Sequence, residues 1–200
     1  MKKMKISNLR PTQFALGMDE VREKIRDFKK MSSKELEDYM KANPIPVVIS
    51  EAKHAYVADH HHALYCYWEM DLKKAYTVVC KDYSDLNFSY LRFWKKMMNA
   101  SKVYLYDQFG EGPRSPIYLP LHVNAMADDP YRSLAWMVRK AGGYQNTSET
   151  FSEFRWANFF RKKRLIEKYG RERMEKCIKP ALKLAKSKEA KKLPGFIGKK

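Results

Sequence analysis

The chain has 200 residues, with 40 Lys and Arg against 23 Asp and Glu, a formal charge of +17, and 44% hydrophobic residues. This is enough for one domain with an appended element or for two very small domains, and the charge favours polyanionic partners without specifying a fold. Three scattered cysteines (Cys66, Cys80, Cys177) make no disulfide framework and suit a reducing cytoplasm, the Lys-rich start lacks the apolar run of a signal peptide, and no stretch nears the roughly 18 apolar residues of a membrane span.

In chain order, an edge strand is expected over 4–9, closed by Pro11. Gly17 and Asp19 open a helix carrying Val21, Ile25 and Phe28 at helical spacing. Ser32-Ser33 caps a second helix with Leu36, Tyr39 and Met40 on its apolar face, and Asn43-Pro44 ends it because the residue before proline avoids helical torsions. The β-rich run 45–49, a turn at 51–54 and a return strand 55–57 predict a hairpin feeding a helix from residue 63, with another strand over 74–80. An amphipathic helix over 86–98 puts Phe88, Leu91, Phe93 and Trp94 in the core. Residues 103–123 carry β-like runs broken by Gly and Pro, read as hairpin-like or extended. Asp128-Asp129-Pro130 then starts a helix that stops near Gly142-Gly143, and a further helix covers 149–163. The expected organisation is an α+β core over 1–125, a helical extension over 126–182, and a mobile basic tail over 183–200.

Two features carry chemistry. Asp59-His60-His61-His62 stands at the strand-to-helix junction, where unpaired amides and the helix dipole favour an anion. Asp59 is a plausible N-cap and the imidazoles add donors, so a phosphate is the first expectation. A structural role and a metal site are the competing readings, but neighbouring helical side chains diverge by about 100° and cannot all meet one ion. His54 and Cys66 are isolated further candidates. The second feature is the carboxy-terminal charge: from Arg155 onward there are 17 basic and four acidic residues, densest at Arg161-Lys162-Lys163-Arg164. That stretch is a nucleic-acid contact or a solvated, solubilising surface.

The order of Asn8-Leu9-Arg10-Pro11-Thr12-Gln13, two helices, the 45–57 hairpin and Asp59-His60-His61-His62-Ala63-Leu64 resembles the amino-terminal domain of ParB-like proteins. This is the fold shared with sulfiredoxins and free serine kinases. The later words Asp128-Asp129-Pro130-Tyr131-Arg132-Ser133-Leu134-Ala135-Trp136 and 151–161 (FSEFRWANFFR) look like the ParB-like nuclease branch, over about residues 5–163. The resemblance implies a ParB/sulfiredoxin-like core whose junction holds nucleotide phosphates, with Asp59, His60, His61 and His62 as ligand-binding residues. It makes a nucleotide, accompanied by a divalent metal ion, the cofactor candidate, and a nucleotide or nucleic acid the partner. The rival is an enzyme at the same junction, a metal-assisted phosphodiesterase or a phosphotransferase, with Asp59, His61 and His62 catalytic. Arg132, with Arg139 on the same helix face, adds a candidate anion contact, while Asp128 and Asp129 are either further metal-binding carboxylates or a helix cap. The chain departs from the family motif at His60, where it has glycine, and at Ala63, where an arginine would grip phosphate bidentately. Pro11-Thr12-Gln13 replaces a Pro-His-Glu word with a catalytic glutamate, leaving Glu20 as the nearest spare carboxylate, and no cysteine stands in the junction.

Overall fold

The apolar run Ile45-Pro46-Val47-Val48-Ile49 lies at the centre of a five-stranded sheet in the computed structural model, which describes residues 1–87 and 89–198. In chain order the strands of this sheet are β1 (Lys2–Lys5), β2 (Leu9–Arg10), β4 (Ile45–Ile49), β5 (Ala55–Val57) and β6 (Lys74–Asp82). The two-residue strands β3 (Ala15–Leu16) and β7 (Ala127–Asp128) stand outside it. The spatial order is β1-β6-β4-β5-β2. The expected hairpin is present as antiparallel β4–β5 with Val47 opposite Val57, while β2 joins the edge parallel to β5, with Arg10 opposite Tyr56.

The chain folds as two compact units, residues 1–16 with 21–127, and residues 17–20 with 128–200. The first unit is α+β. Its helices are α1 (Met18–Phe28), which enters from the 17–20 segment, α2 (Ser33–Ala42), α3 (His61–Glu69) and α4 (Tyr90–Asn99). Ser32 and Glu35 form a reciprocal capping box that sets the start of α2. The Phe28 ring packs at 5.1 Å from Tyr39 and 5.7 Å from Tyr67, so α1, α2 and α3 share one aromatic contact. A second cluster joins Phe93, Trp94 and Met97 of α4 to Val48, Val103, Leu105 and Leu119.

Three local expectations need correction. Helix α4 begins at Tyr90, capped by Ser89, rather than at residue 86; Leu91 is 78% exposed, and Phe88 lies outside the described residues. Of the two readings of residues 103–123, hairpin-like or extended, the hairpin is absent: Tyr104 makes one isolated bridge to Gln13, and short 3-10 turns occupy Pro116–Tyr118 and Val123–Ala125. Pro113, Pro116 and Pro120 lack the amides a strand ladder requires, which is why β-like side chains here make no sheet.

The second unit is helical, built from α5 (Pro130–Lys140), α6 (Ser152–Lys162), α7 (Leu165–Tyr169) and α8 (Met174–Ala185) around Leu134, Val138, Trp156 and Phe160, all fully buried. Asp129 caps α5 by accepting from the Tyr131 and Arg132 amides at 2.9 and 3.2 Å, with Pro130 at the first helical position. Of the expected mobile tail over 183–200, residues 183–198 are instead packed into this unit, and 199–200 lie outside the described residues. Ala190 is fully buried, the Trp156 indole donates to the Pro194 carbonyl at 2.8 Å, and the Gln145 amide donates to Gly195. Gly17 lies so close to α5 that an added Cβ would stand 2.8 Å from the Ser133 nitrogen. The Ser133 hydroxyl accepts from the Asp19 amide there, and the Asp128 carboxylate accepts from that of Met18.

The polar centre of this unit is Arg132, 6% exposed, which pairs with Glu20 at 3.2 Å and with Glu153, whose other oxygen accepts from Arg139 Nε at 2.6 Å. Replacing one member strands the opposite charges in a low-dielectric interior. The Arg132→Met variant is therefore expected to lose about 3–5 kcal/mol of stability, measured by urea unfolding of the whole chain; a loss below about 1 kcal/mol would show that the cage carries no stability.

Candidate ligand site at the strand-to-helix junction

Strand β5 ends at Val57, and α3 starts four residues later, so Ala58 to His60 must turn the chain sharply. They do so with His60 in the left-handed region (φ +64°), a conformation that favours glycine and in which Cβ crowds the following carbonyl. His60, not Asp59, is the N-cap residue, and no side chain caps α3; the first helical hydrogen bond runs from the Leu64 amide to the His60 carbonyl. Among the described residues the Asp59 carboxylate accepts only the His60 amide, at 2.7 Å, which corrects its expected capping role, and the residue is exposed.

The three histidines part company, as a helix demands. His61 turns inward and is 6% exposed. Its Nε2 accepts from the Thr12 amide at 3.1 Å and lies 3.3 Å from Thr12 Oγ1, which itself donates to the Val57 carbonyl at 2.6 Å. Because Nε2 is the acceptor, the ring is the neutral Nδ1–H tautomer, and burial pushes its pKa down to about 3. This corrects the reading of His61 as a phosphate donor or acid–base residue: the imidazole is a strut between the exit of β2 and the start of α3. Its neighbours face outward, His60 exposed and His62 half-buried. Thr12, the partner that makes His61 structural, stands in the Pro11-Thr12-Gln13 word, where nothing local signals a contact 49 positions away; Gln13, buried, donates to the Ala15 carbonyl.

The remaining candidates are engaged elsewhere. Cys66 is fully buried, with Sγ against the Val21 carbonyl at 3.6 Å, and His54 is half-buried. Among the described residues no group of three or more His, Cys, Asp or Glu is arranged to hold a metal ion. In the second unit the anion that Arg132 and Arg139 meet is the carboxylate of Glu153, and Glu20 is a buried ion-pair partner rather than a spare base. Asp128 accepts from the Met18 amide and pairs with Arg171, and Asp129 is clasped through both oxygens at 2.7 Å by Arg161. Arg161 and Lys163, expected on nucleic acid, are thus committed to Asp129 and to Glu189 respectively; Lys162 and Arg164 remain exposed.

With this geometry in place, the comparisons with known proteins identify the class. A family model described as "Putative ParB-like nuclease" matches residues 2–162, and the chain belongs to that family. The crystal structure of protein Atu1540 from Agrobacterium tumefaciens superposes with a TM-score of 0.87 at 31% identity, covering 100% of this chain and 97% of that one, so the likeness extends through the carboxy-terminal helices. No curated protein matches the chain. Among the described residues no helix is long and apolar enough to cross a membrane.

The strut carries a pH signature. Unfolded, His61 takes a proton near 6.5, while folded it resists until about 3. The unfolded state therefore binds more protons across that window, and the stabilisation, complete above 6.5, is lost as pH falls toward 3. Chemical unfolding at stepped pH is expected to show a slope of up to about 1.4 kcal/mol per pH unit from this group. In His61→Gln, whose amide oxygen still reaches the Thr12 amide, that part of the slope should vanish; an unaltered slope would refute the assignment.

Proposed function

We propose that this protein binds a phosphate-bearing ligand, a nucleotide or a nucleic-acid backbone, at the amino end of α3. The observation that carries this reading is His60 held as N-cap at positive φ, its exposed imidazole beside a helix end that no side chain caps. A glycine would make the same bend without strain, whereas an L residue costs roughly 1–2 kcal/mol there, so the side chain at this position points to use. First-turn amides and the helix dipole supply fixed positive potential, and His60 and His62 supply donors that follow the ligand. His61 holds the frame without touching the ligand. The chain's formal charge of +17 adds long-range attraction for polyanions. Exposed Lys162 and Arg164 are its proposed contacts with nucleic acid, as members of a screened basic surface.

A second reading is favoured by the exposed Asp59 carboxylate between this bend and the family's description as a nuclease. In it the same junction cleaves a phosphodiester, with one outward imidazole taking a proton from the attacking hydroxyl and the other protonating the leaving oxygen.

Isothermal titration of the full chain with nucleoside mono- and triphosphates, and with a short oligonucleotide, tests both readings. His62→Ala and His60→Gly are each expected to weaken phosphate binding about tenfold, the worth of one charge-assisted hydrogen bond. His60→Gly should also raise unfolding stability by about 1 kcal/mol as backbone strain is relieved. Affinities unchanged in both variants would defeat the binding reading. Incubating labelled oligonucleotide with the protein, with and without magnesium or manganese, decides the second: release of fragments lost in His62→Ala supports cleavage, and intact oligonucleotide throughout excludes it.

A further inference from the structure

On the face of the first unit's sheet that carries α4, Arg10, Tyr56, Tyr90 and Trp94 line an open cleft of about 160 Å³. That is close to the roughly 150 Å³ of cavity known to take a single benzene ring, room for a flat ring system. Three aromatic rings build its wall: Trp94 meets Tyr56 edge-on at 5.0 Å and Tyr90 at 6.1 Å. Register places Arg10 beside Tyr56 across the parallel β2–β5 pair, and its guanidinium lies over the Tyr56 ring at 5.9 Å. No carboxylate among the described residues pairs with this arginine; its electrostatic influence falls on His54, pushed below its ordinary range first by burial and then by the Arg10 charge.

The hydrogen-bonding inventory of the cleft is one-sided. Trp94 is 3% exposed, and among the described residues its Nε1–H meets no acceptor in full hydrogen-bond geometry, the Tyr90 phenol being the polar group it bears on. A buried donor left unmade is unfavourable by roughly 1–3 kcal/mol. Prolines 11, 116 and 120, also in the lining, have no amides to offer. At the mouth, Ile117 and Leu121 are 70% and 61% exposed, apolar surface that a docked ring would cover. Donors without acceptors, an unpaired guanidinium and aromatic walls select an occupant that is flat, apolar in body and negatively charged at one edge.

We propose that this cleft binds a planar ring bearing an anionic substituent, the ring against Tyr56, Tyr90 and Trp94 and the anion on Arg10. Nucleotides and aromatic carboxylates share that chemistry. None of Asp59, His60, His61 or His62 lines the cleft, although Pro11, which does, directly precedes Thr12, the residue held by His61.

Saturation-transfer NMR and calorimetry on the full chain, with adenosine monophosphate, indole-3-carboxylate and their uncharged counterparts adenosine and indole, test the proposal. Binding of either anion, at least about tenfold tighter than its uncharged counterpart and lost to a similar extent in Arg10→Gln and in Tyr90→Ala, supports it; the tighter of the two anions identifies the source. Tyr90 is 43% exposed and Arg10 half-buried, so neither substitution opens the core, and unfolding curves confirm the fold. The His60→Gly chain should retain this binding. Absence of binding by both anions in the millimolar range, indifference to Arg10→Gln, or joint loss in His60→Gly would each overturn it, the last by showing that any bound anion sits at the α3 end. Loss of phosphate binding in His60→Gly with the cleft intact leaves the two proposals separately judged.

Discussion

The hydrogen bond from the Thr12 amide to His61 Nε2 is the constraint on which the junction depends. Pro11 has no amide, so Thr12 carries the first donor after β2 leaves the sheet, and a buried donor must be matched. Thr12 Oγ1 completes the knot by donating to the Val57 carbonyl, so the exit of β2, the end of β5 and the first residue of α3 are tied within three residues' contacts. The knot holds only while the imidazole is neutral, which burial ensures. Its geometric consequence is exposure elsewhere: with the middle ring anchored inward, a turn of about 100° per residue carries its neighbours away from the core. His60 and His62 are accessible because His61 is not.

The second unit shows why net charge is a poor list of binding residues. Its arginines are the sites a sequence reading selects first, yet Arg132, Arg161 and Arg171 each close on carboxylates of the same unit: Glu20 and Glu153, Asp129, and Asp19 with Asp128. Planar guanidinium groups match paired carboxylate oxygens and tolerate burial better than ammonium groups, so internal ion pairs draw on arginine and leave lysine at the surface. What remains for a polyanion is a screened, lysine-rich field rather than a shaped anion site.

Local rules made much of the fold legible. Ser32 with Glu35 and Asp129 with Pro130 announce two helix starts by short-range chemistry, and the 45–57 hairpin follows from apolar runs around a turn. The parts that misled are those settled by distant partners. Residues 103–123 have strand-like side chains, but their prolines remove the ladder and they pack instead on Phe93 and Trp94. The tail after 183 has the composition of a solvated segment, yet Ala190 and the Pro194 carbonyl fill a place prepared by Trp156. At the junction, sequence placed Asp59 and His60 between strand and helix, but α3 begins two residues earlier than expected and takes in His61 and His62; which histidine turns inward was set by Thr12, 49 positions away along the chain.

A bend that glycine would make freely is made here by a histidine. If the imidazole served only to cap or to pack, it would hydrogen-bond nearby, but α3 has no side-chain cap and the ring is exposed. The strain therefore has no compensation within the first unit's described contacts, and strained backbone that persists without local compensation points to function. The same reasoning separates His60 from His61. One residue loses stability to its position and gains none from it, and the other gains a buried hydrogen bond and forfeits its charge. Adjacent residues of one type thus differ in what they do for the fold, His61 fixing where the helix begins and His60 making the bend with its ring turned to solvent.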